Sequence, residues 1–300
     1  MTFNSNFDRG GGGRVTTSSG SGGGGLGGMP IAVGGGGIGT LIILALVYFL
    51  GGGLGGGGQV PGAQSQGGGA GDYNLDHCNS ANAANEYDDC RVEATMYSVD
   101  DVWQRVLPEQ AGIEYTQPGM HLFRNDVTTG CGHATSATGP FYCPTDTTAY
   151  LDISFFEQLG QLGGSDGPLA QEYAVAHEMG HHIQNIEGTL GLSDYNNPGE
   201  DSAAVAIELQ ADCYAGLWAN HATEGPDAIL DPITREQLAQ AVQTARAIGD
   251  DNIQKRSGGQ VNPDAWTHGS SQQREEAFMA GYDSGKMSSC DFLNRGVYSS

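Results

Sequence analysis

Positive charge is scarce in this chain: 12 Lys and Arg stand against 35 Asp and Glu among 300 residues, a formal net charge of −23. A surface of that sign repels phosphate backbones, which argues against nucleic acid as a partner and fits a solvated acidic exterior. No Lys or Arg occurs between Arg14 and Arg91, and no charge of either sign occurs from Met29 to Leu50. The six cysteines (Cys78, Cys90, Cys131, Cys143, Cys213 and Cys290) contain no Cys-x-x-Cys pair, so neither a thiolate zinc site nor a thioredoxin-like motif is supported. No internal repeat is visible. Large apolar residues are almost absent from the first 28 positions, which therefore offer little from which to build a core.

Glycine is abundant, 50 in all, and much of it falls in the first seventy residues. This skew divides the chain. Residues 1–28 read as a disordered, Gly-rich cytoplasmic segment. Residues 29–51 read as a transmembrane helix, since Ile31 to Leu50 supplies about the twenty apolar residues a bilayer core requires. Arg9 and Arg14 precede it, and the positive-inside rule then places the N-terminus in the cytoplasm and the rest outside, a single-pass arrangement in the cell membrane. A cleaved signal peptide competes with this reading, but no Ala-x-Ala site follows the run. Residues 52–72 form a Gly-rich linker. Residues 73–300 are long enough for one well-buried domain. Outside the cytoplasm its cysteines should be oxidised. Six cysteines allow fifteen pairings and the sequence selects none of them, the set Cys78–Cys90, Cys131–Cys143 and Cys213–Cys290 being a guess in which the two local pairs close short loops.

Within that domain, Ser98-Val-Asp-Asp resembles an N-cap opening a short helix that Pro108 ends or bends. Met120 to Arg124, Gly139 to Cys143 and Thr148 to Ile153 read as strands. Pro168 suits the first turn of a helix that runs to Glu187 and stops at Gly188. Ser202 to Ala222 forms a second strong helical stretch. Thr234-x-x-Gln237 and Ser270-x-x-Gln273 have capping-box form and open two more helices, closing near Gly249 and Gly285. Strands first and helices later indicate an α+β fold.

The chemistry centres on His177-Glu178-Met-Gly-His181. Residues four apart share a helix face, so the two imidazoles aim at one point, where they can bind Zn²⁺ while Glu178 reaches a water. A catalytic zinc takes a third protein ligand and leaves one position open. Glu208 is the best candidate, with Asp212 one turn on; two carboxylates inside so apolar a helix need a metal or a partner. Asp212 then suits the orientation of a zinc-bound imidazole. His182 is rotated about 100° from His181 and points elsewhere; His221 is a weaker rival for the third position. His268 and Arg274 lie at the start of the last capped helix, where either can stabilise an oxyanion. His77, His121 and His133 have no supporting context and read as structural.

His-Glu-x-Gly-His-His-x-Gln, Glu-Leu-Gln-Ala-Asp-Cys-Tyr-Ala-Gly, the segment from Gly130-Cys-Gly132 to Gly139-Pro-Phe-Tyr-Cys-Pro144, and Thr-His-Gly-Ser together resemble the neutral zinc metallopeptidase family, bacterial proteins often membrane-anchored behind a Gly-rich N-terminus. The later elements also resemble the prenyl-protein protease type of gluzincin. The resemblance implies a zincin-like domain with a small, mainly antiparallel sheet. It also implies zinc held by His177, His181 and Glu208, with Asp212, His268 and Arg274 in assisting roles. The activity expected is a zinc endopeptidase with Glu178 as general base, acting on a peptide or protein substrate. An extended peptide would add to a strand edge near Gly139 to Cys143. Two other readings remain open: a membrane-tethered zinc scaffold without turnover, and a metal hydrolase of other acyl substrates.

Overall fold

The structure is a computed structural model that describes residues 3–7, 15–19, 73–226 and 228–298. Residues 29–51 and 52–72, read above as membrane helix and linker, lie outside the described residues. No helix among the described residues is long and apolar enough to cross a membrane.

The elements in chain order are β1 (Val15–Ser19), α1 (Ala81–Glu86), α2 (Asp88–Ala111), β2 (Gly119–Arg124), β3 (Asp126–Thr129), β4 (Gly132–Thr135), β5 (Phe141–Cys143), β6 (Thr148–Asp152), α3 (Phe155–Gln161), α4 (Pro168–Glu187), α5 (Ala203–His221), α6 (Arg235–Ala247), α7 (Asp250–Arg256) and α8 (Ser271–Ser284). The result is mixed α+β. The main sheet has the order β1-β2-β6-β5. Its first three strands are parallel and only β5 is antiparallel to its neighbour, so the expected antiparallel character is corrected. The cause is connectivity: β2 returns as β6 only after the β3–β4 hairpin and β5 have intervened. That hairpin is a separate two-stranded sheet, and Ala134 packs with Phe123, Phe141, Cys143 and Tyr150 in a small second core.

Two further expectations are overturned. Residues 3–7 and 15–19 are not disordered: β1 adds in parallel to β2, and Phe3 and Phe7 are buried. Their few apolar side chains are diluted by glycine and serine in the average composition, but each fills a place in the core. Ser98 does not begin a helix either. It sits inside α2, with its hydroxyl accepting from Trp218 Nε1 at 3.1 Å. Pro108 lies inside the helix at the cost of one backbone hydrogen bond, and Gly112 in the left-handed conformation (φ 68°) closes the helix.

The helices that carry the site follow their local signals. Pro168 occupies the first turn of α4 and Gly188 (φ 72°) ends it. Ser202 caps α5 by accepting from Val205 N–H, and Thr234 and Ser270 form the reciprocal capping boxes of α6 and α8. α5 is buried almost all round and packs against both α4 and α8. Glycines permit the close approach. A Cβ at Gly180 of α4 would lie 2.9 Å from the Ala211 Cα and carbonyl oxygen of α5. Gly216 of α5 and Gly281 of α8 likewise face each other's helix with no room for a side chain. The disulfides Cys78–Cys90, Cys131–Cys143 and Cys213–Cys290 are all formed.

Candidate metal centre

Because Gly180 lets α4 and α5 nearly touch, one turn of each helix faces the other. His177 Nε2 lies 3.3 Å, and His181 Nε2 3.7 Å, from Glu208 Oε2. The three ligand atoms lie within 4.8 Å of one another and all three residues are buried. His181 Nε2, Glu208 Oε2 and the nearby Glu178 Oε2 have no hydrogen-bond partner. Buried polar atoms left in that state carry a desolvation penalty of about 1–3 kcal/mol or more each. Two imidazoles and a carboxylate converging on one point are a donor set for Zn²⁺, and a cation there would satisfy what the protein leaves open. The residues fit the metal.

The other face of each ligand is held. His177 Nδ1 is 2.8 Å from Asp212 Oδ1. Asp212 accepts Arg274 Nε on Oδ2 at 2.8 Å and Arg274 Nη2 on Oδ1 at 2.9 Å, and it also accepts the Tyr173 hydroxyl. His181 Nδ1 is 2.8 Å from Gln184 Oε1; Gln184 in turn donates to the Ile207 carbonyl at 2.7 Å and to Gln210 Oε1 at 3.0 Å. The hydroxyl of Tyr195 donates to Glu208 Oε1 at 3.2 Å, leaving Oε2 turned to the histidines. Such partners fix the ring or carboxylate that a metal meets.

Electrostatics agree with this layout. Burial by itself lowers the His177 imidazole pKa, but the Asp212 charge and hydrogen bond, with Glu208, push it up to about 10. Negative charge that holds a proton there can hold a divalent cation instead. Burial raises Glu208, yet the imidazoles of His181, His268 and His177 bring it well below the usual carboxylate range. Glu178 moves the other way: burial holds its pKa up, and the two motif histidines only partly oppose this.

His268 lines the same cleft as His177, Glu178 and Glu208. Burial lowers its pKa, while Glu208 and Asp250 raise it further than that. Its loop is fixed by Asp250 Oδ2, which accepts the backbone N–H groups of Thr267 and His268 at 2.8 Å and of Gly269 at 3.2 Å. Tyr173 and Arg274 line the cleft as well, and its remaining walls, Pro140, Phe155, Leu162, Ala174, Ile248 and Ile253, are apolar.

The structure thus brings together His177, Glu178, His181, Glu208 and His268. Arg274 lines the same cleft and bonds to Asp212 and to the Tyr173 hydroxyl. His182 is turned away, bonded to Tyr142 and the Thr116 carbonyl. His221 bonds to Glu224 and the Gly285 carbonyl and takes no part. Sequence reasoning missed Tyr173, Gln184, Tyr195 and Asp250. Tyr173 and Gln184 had a signal in their spacing, four before His177 and three after His181; Tyr195 and Asp250 had none.

No solved structure matches this chain. Relatives include the uncharacterized protein Rv2575 of Mycobacterium tuberculosis H37Rv, 46% identical over 225 residues that cover 73% of this chain and 75% of its own length. Another is the uncharacterized protein YpfJ of Escherichia coli K12, 38% identical over 210 residues, 67% of this chain and 70% of its own. The sequence profile described as "Putative neutral zinc metallopeptidase" matches residues 8–293, nearly the whole chain, and the chain belongs to that family.

Proposed function

We propose that this protein is a membrane-associated zinc endopeptidase whose catalytic domain lies outside the cytoplasm. The observation that carries the reading is the convergence of His177, His181 and Glu208 on one point, with Glu178 beside them holding a buried, unpartnered carboxylate oxygen. A purely structural zinc site is normally closed by four protein ligands and has no use for such a carboxylate.

Zn²⁺ at this point supplies the Lewis acidity that makes water nucleophilic near neutral pH and polarises an amide carbonyl. The chain does the rest. Glu178, its pKa raised by burial, accepts the proton of the attacking water and passes it to the leaving amine. His268, which lines the cleft beside Glu178 and Glu208, donates to the oxygen on which negative charge develops. Arg274 and Tyr173 hold Asp212, and Asp212 holds His177, so the first ligand cannot rotate. The apolar walls of the cleft exclude water and suit an apolar substrate side chain next to the scissile bond. β5 ends the main sheet and follows directly from Pro140 in the cleft wall, which supports an extended peptide lying along this segment. Three disulfides support an oxidising compartment, and the apolar run at Ile31 to Leu50 supports attachment to a bilayer.

The test compares the full chain with its Glu178→Gln variant, measuring zinc content and cleavage of a peptide library. One zinc in each, with cleavage by the wild type alone, is the expected result. Equal cleavage by both would remove Glu178 from the mechanism, and zinc without cleavage in either would favour a tethered scaffold.

A further inference from the structure

We infer that Gln210 is a positioning residue of the metal centre: it fixes the amide that orients His181 and ties that amide to the C-terminal segment around Cys290 and Tyr298. The inference rests on the zinc reading of the site.

Gln184 follows His181 by three residues on α4, Gln210 stands between Glu208 and Asp212 on α5, and both are 0% exposed. Primary amides so deeply buried need partners for their donors and acceptors, and here the direction of each bond is forced. A backbone carbonyl only accepts. Gln184 Nε2 lies 2.7 Å from the Ile207 carbonyl, so nitrogen faces α5 and Oε1 is left to His181 Nδ1, at 2.8 Å. Gln210 Nε2 lies 3.1 Å from the Cys290 carbonyl, so its Oε1 accepts the second N–H of Gln184, at 3.0 Å. Turning either amide over would set like groups against each other at two contacts. The consequence falls on the imidazole. Only a proton on His181 Nδ1 can bond to Gln184 Oε1, which leaves the lone pair on Nε2, the atom that faces Glu208.

The far end of the relay is anchored twice. Cys290 closes the single turn Met287–Cys290 and is joined by a disulfide to Cys213, the residue after Asp212 on α5. That bridge keeps the Cys290 carbonyl against Gln210. The Tyr298 hydroxyl oxygen accepts the other N–H of Gln210 at 3.2 Å and lies 3.0 Å from the Tyr214 hydroxyl, which donates to Glu187 Oε2 at 2.8 Å. One stretch of α5 thus serves both histidines. Asp212 holds His177 directly, and Gln210 holds His181 through Gln184.

The first test needs no metal. In the full chain stripped of zinc by a chelator, long-range proton–nitrogen NMR of the imidazoles should show a slowly exchanging proton on His181 Nδ1, assigned by its absence from His181→Gln. Gln210→Leu should shift that signal and speed its exchange with water, and Tyr298→Phe should shift it the same way by less. An Nδ1 without a proton in the wild type, or a signal unmoved by Gln210→Leu, would overturn the inference; one unmoved by Tyr298→Phe would remove Tyr298 from it. The second test is zinc competition against a chromogenic chelator. Gln210→Leu should weaken binding roughly 10-fold in the wild-type background and add nothing to Gln184→Leu. Equal losses in the two backgrounds would mean that Gln210 does not act through Gln184, and would overturn the relay. A wild type that binds no zinc would sink the proposed function, with the Nδ1 proton still deciding this inference.

Discussion

Two places among the described residues gather metal-ligating side chains within 4.8 Å, and they differ in nearly everything else. One is His177, His181 and Glu208; the other is His77, Cys78, Asp89 and Cys90. In the second, both thiols are spent on a disulfide and the two remaining groups bond to each other at 3.1 Å, with His77 half exposed and set edge-on to Tyr87. In the first, every group is buried, the outward face of each ligand is held, and the inward atoms of His181 and Glu208 are left without partners. Composition and proximity are therefore poor guides to a metal site. The informative feature is a set of buried donors, oriented by their neighbours and left unsatisfied at one point.

The sharpest way to use that contrast is at Glu178, which lies beside the first cluster without being one of its three members. Glu178→Gln should lower peptide cleavage by roughly 100-fold or more, with zinc content unchanged. A parallel loss of zinc would mean that Glu178 holds the metal. Next come the ligands. Glu208→Gln should weaken zinc binding by at least about 100-fold in competition with a chromogenic chelator, whereas His77→Ala should leave it unchanged. A zinc deficit in His77→Ala would erase the distinction between the clusters.

A third effect, smaller, falls on the residues that orient ligands. Tyr195→Phe and Gln184→Leu should each reduce zinc affinity about 10-fold in the same competition assay. A fall in cleavage with affinity intact would move Tyr195 into the reaction itself. Replacing Cys78 and Cys90 by serine should destabilise the fold by about 2–5 kcal/mol in denaturant and leave zinc stoichiometry unaltered.

The smallest effect is electrostatic. Burial disfavours ionised Asp251, but Lys255 and the N–H and hydroxyl of Ser271 together outweigh it and hold its pKa down to about 2, from an ordinary 3.8. A depressed folded-state pKa adds stability that is complete above the unfolded value and is lost as pH falls toward the folded one. Asp251→Asn should therefore flatten the stability profile between about pH 4 and pH 2. If the variant's acid limb superimposed on the wild type, Asp251 would have no such role.

Legibility from sequence followed the range of each interaction. The ends of α4 were readable because Pro168 and Gly188 act within one turn, and Ser202, Thr234 and Ser270 announced their helices for the same reason. The candidate ligands could be brought together on paper because helical periodicity puts His177 and His181 on one face. Glu208 and Asp212 could be chosen because carboxylates are conspicuous in an apolar helix. Contacts between distant elements left weaker traces. Ser98 carries a cap signal, yet it serves as acceptor for Trp218, 120 residues away. Tyr195 and Asp250 acquire their roles only once the loops before α5 and α8 fold over the cluster. β1 was hidden by averaging, since Phe3, Phe7 and Val15 are sparse among glycines but each fills a specific gap. The parallel order of the sheet depends on that hidden strand and on the long return from β2 to β6, neither of which local patterning reports.

Elemental analysis of zinc in the purified full chain, made on the wild type and on Glu208→Gln, decides whether the cluster is a metal site. One equivalent of zinc is expected in the wild type, lost from the variant under the same dialysis. Metal absent from the wild type after zinc loading, or retained in full by Glu208→Gln, would contradict it.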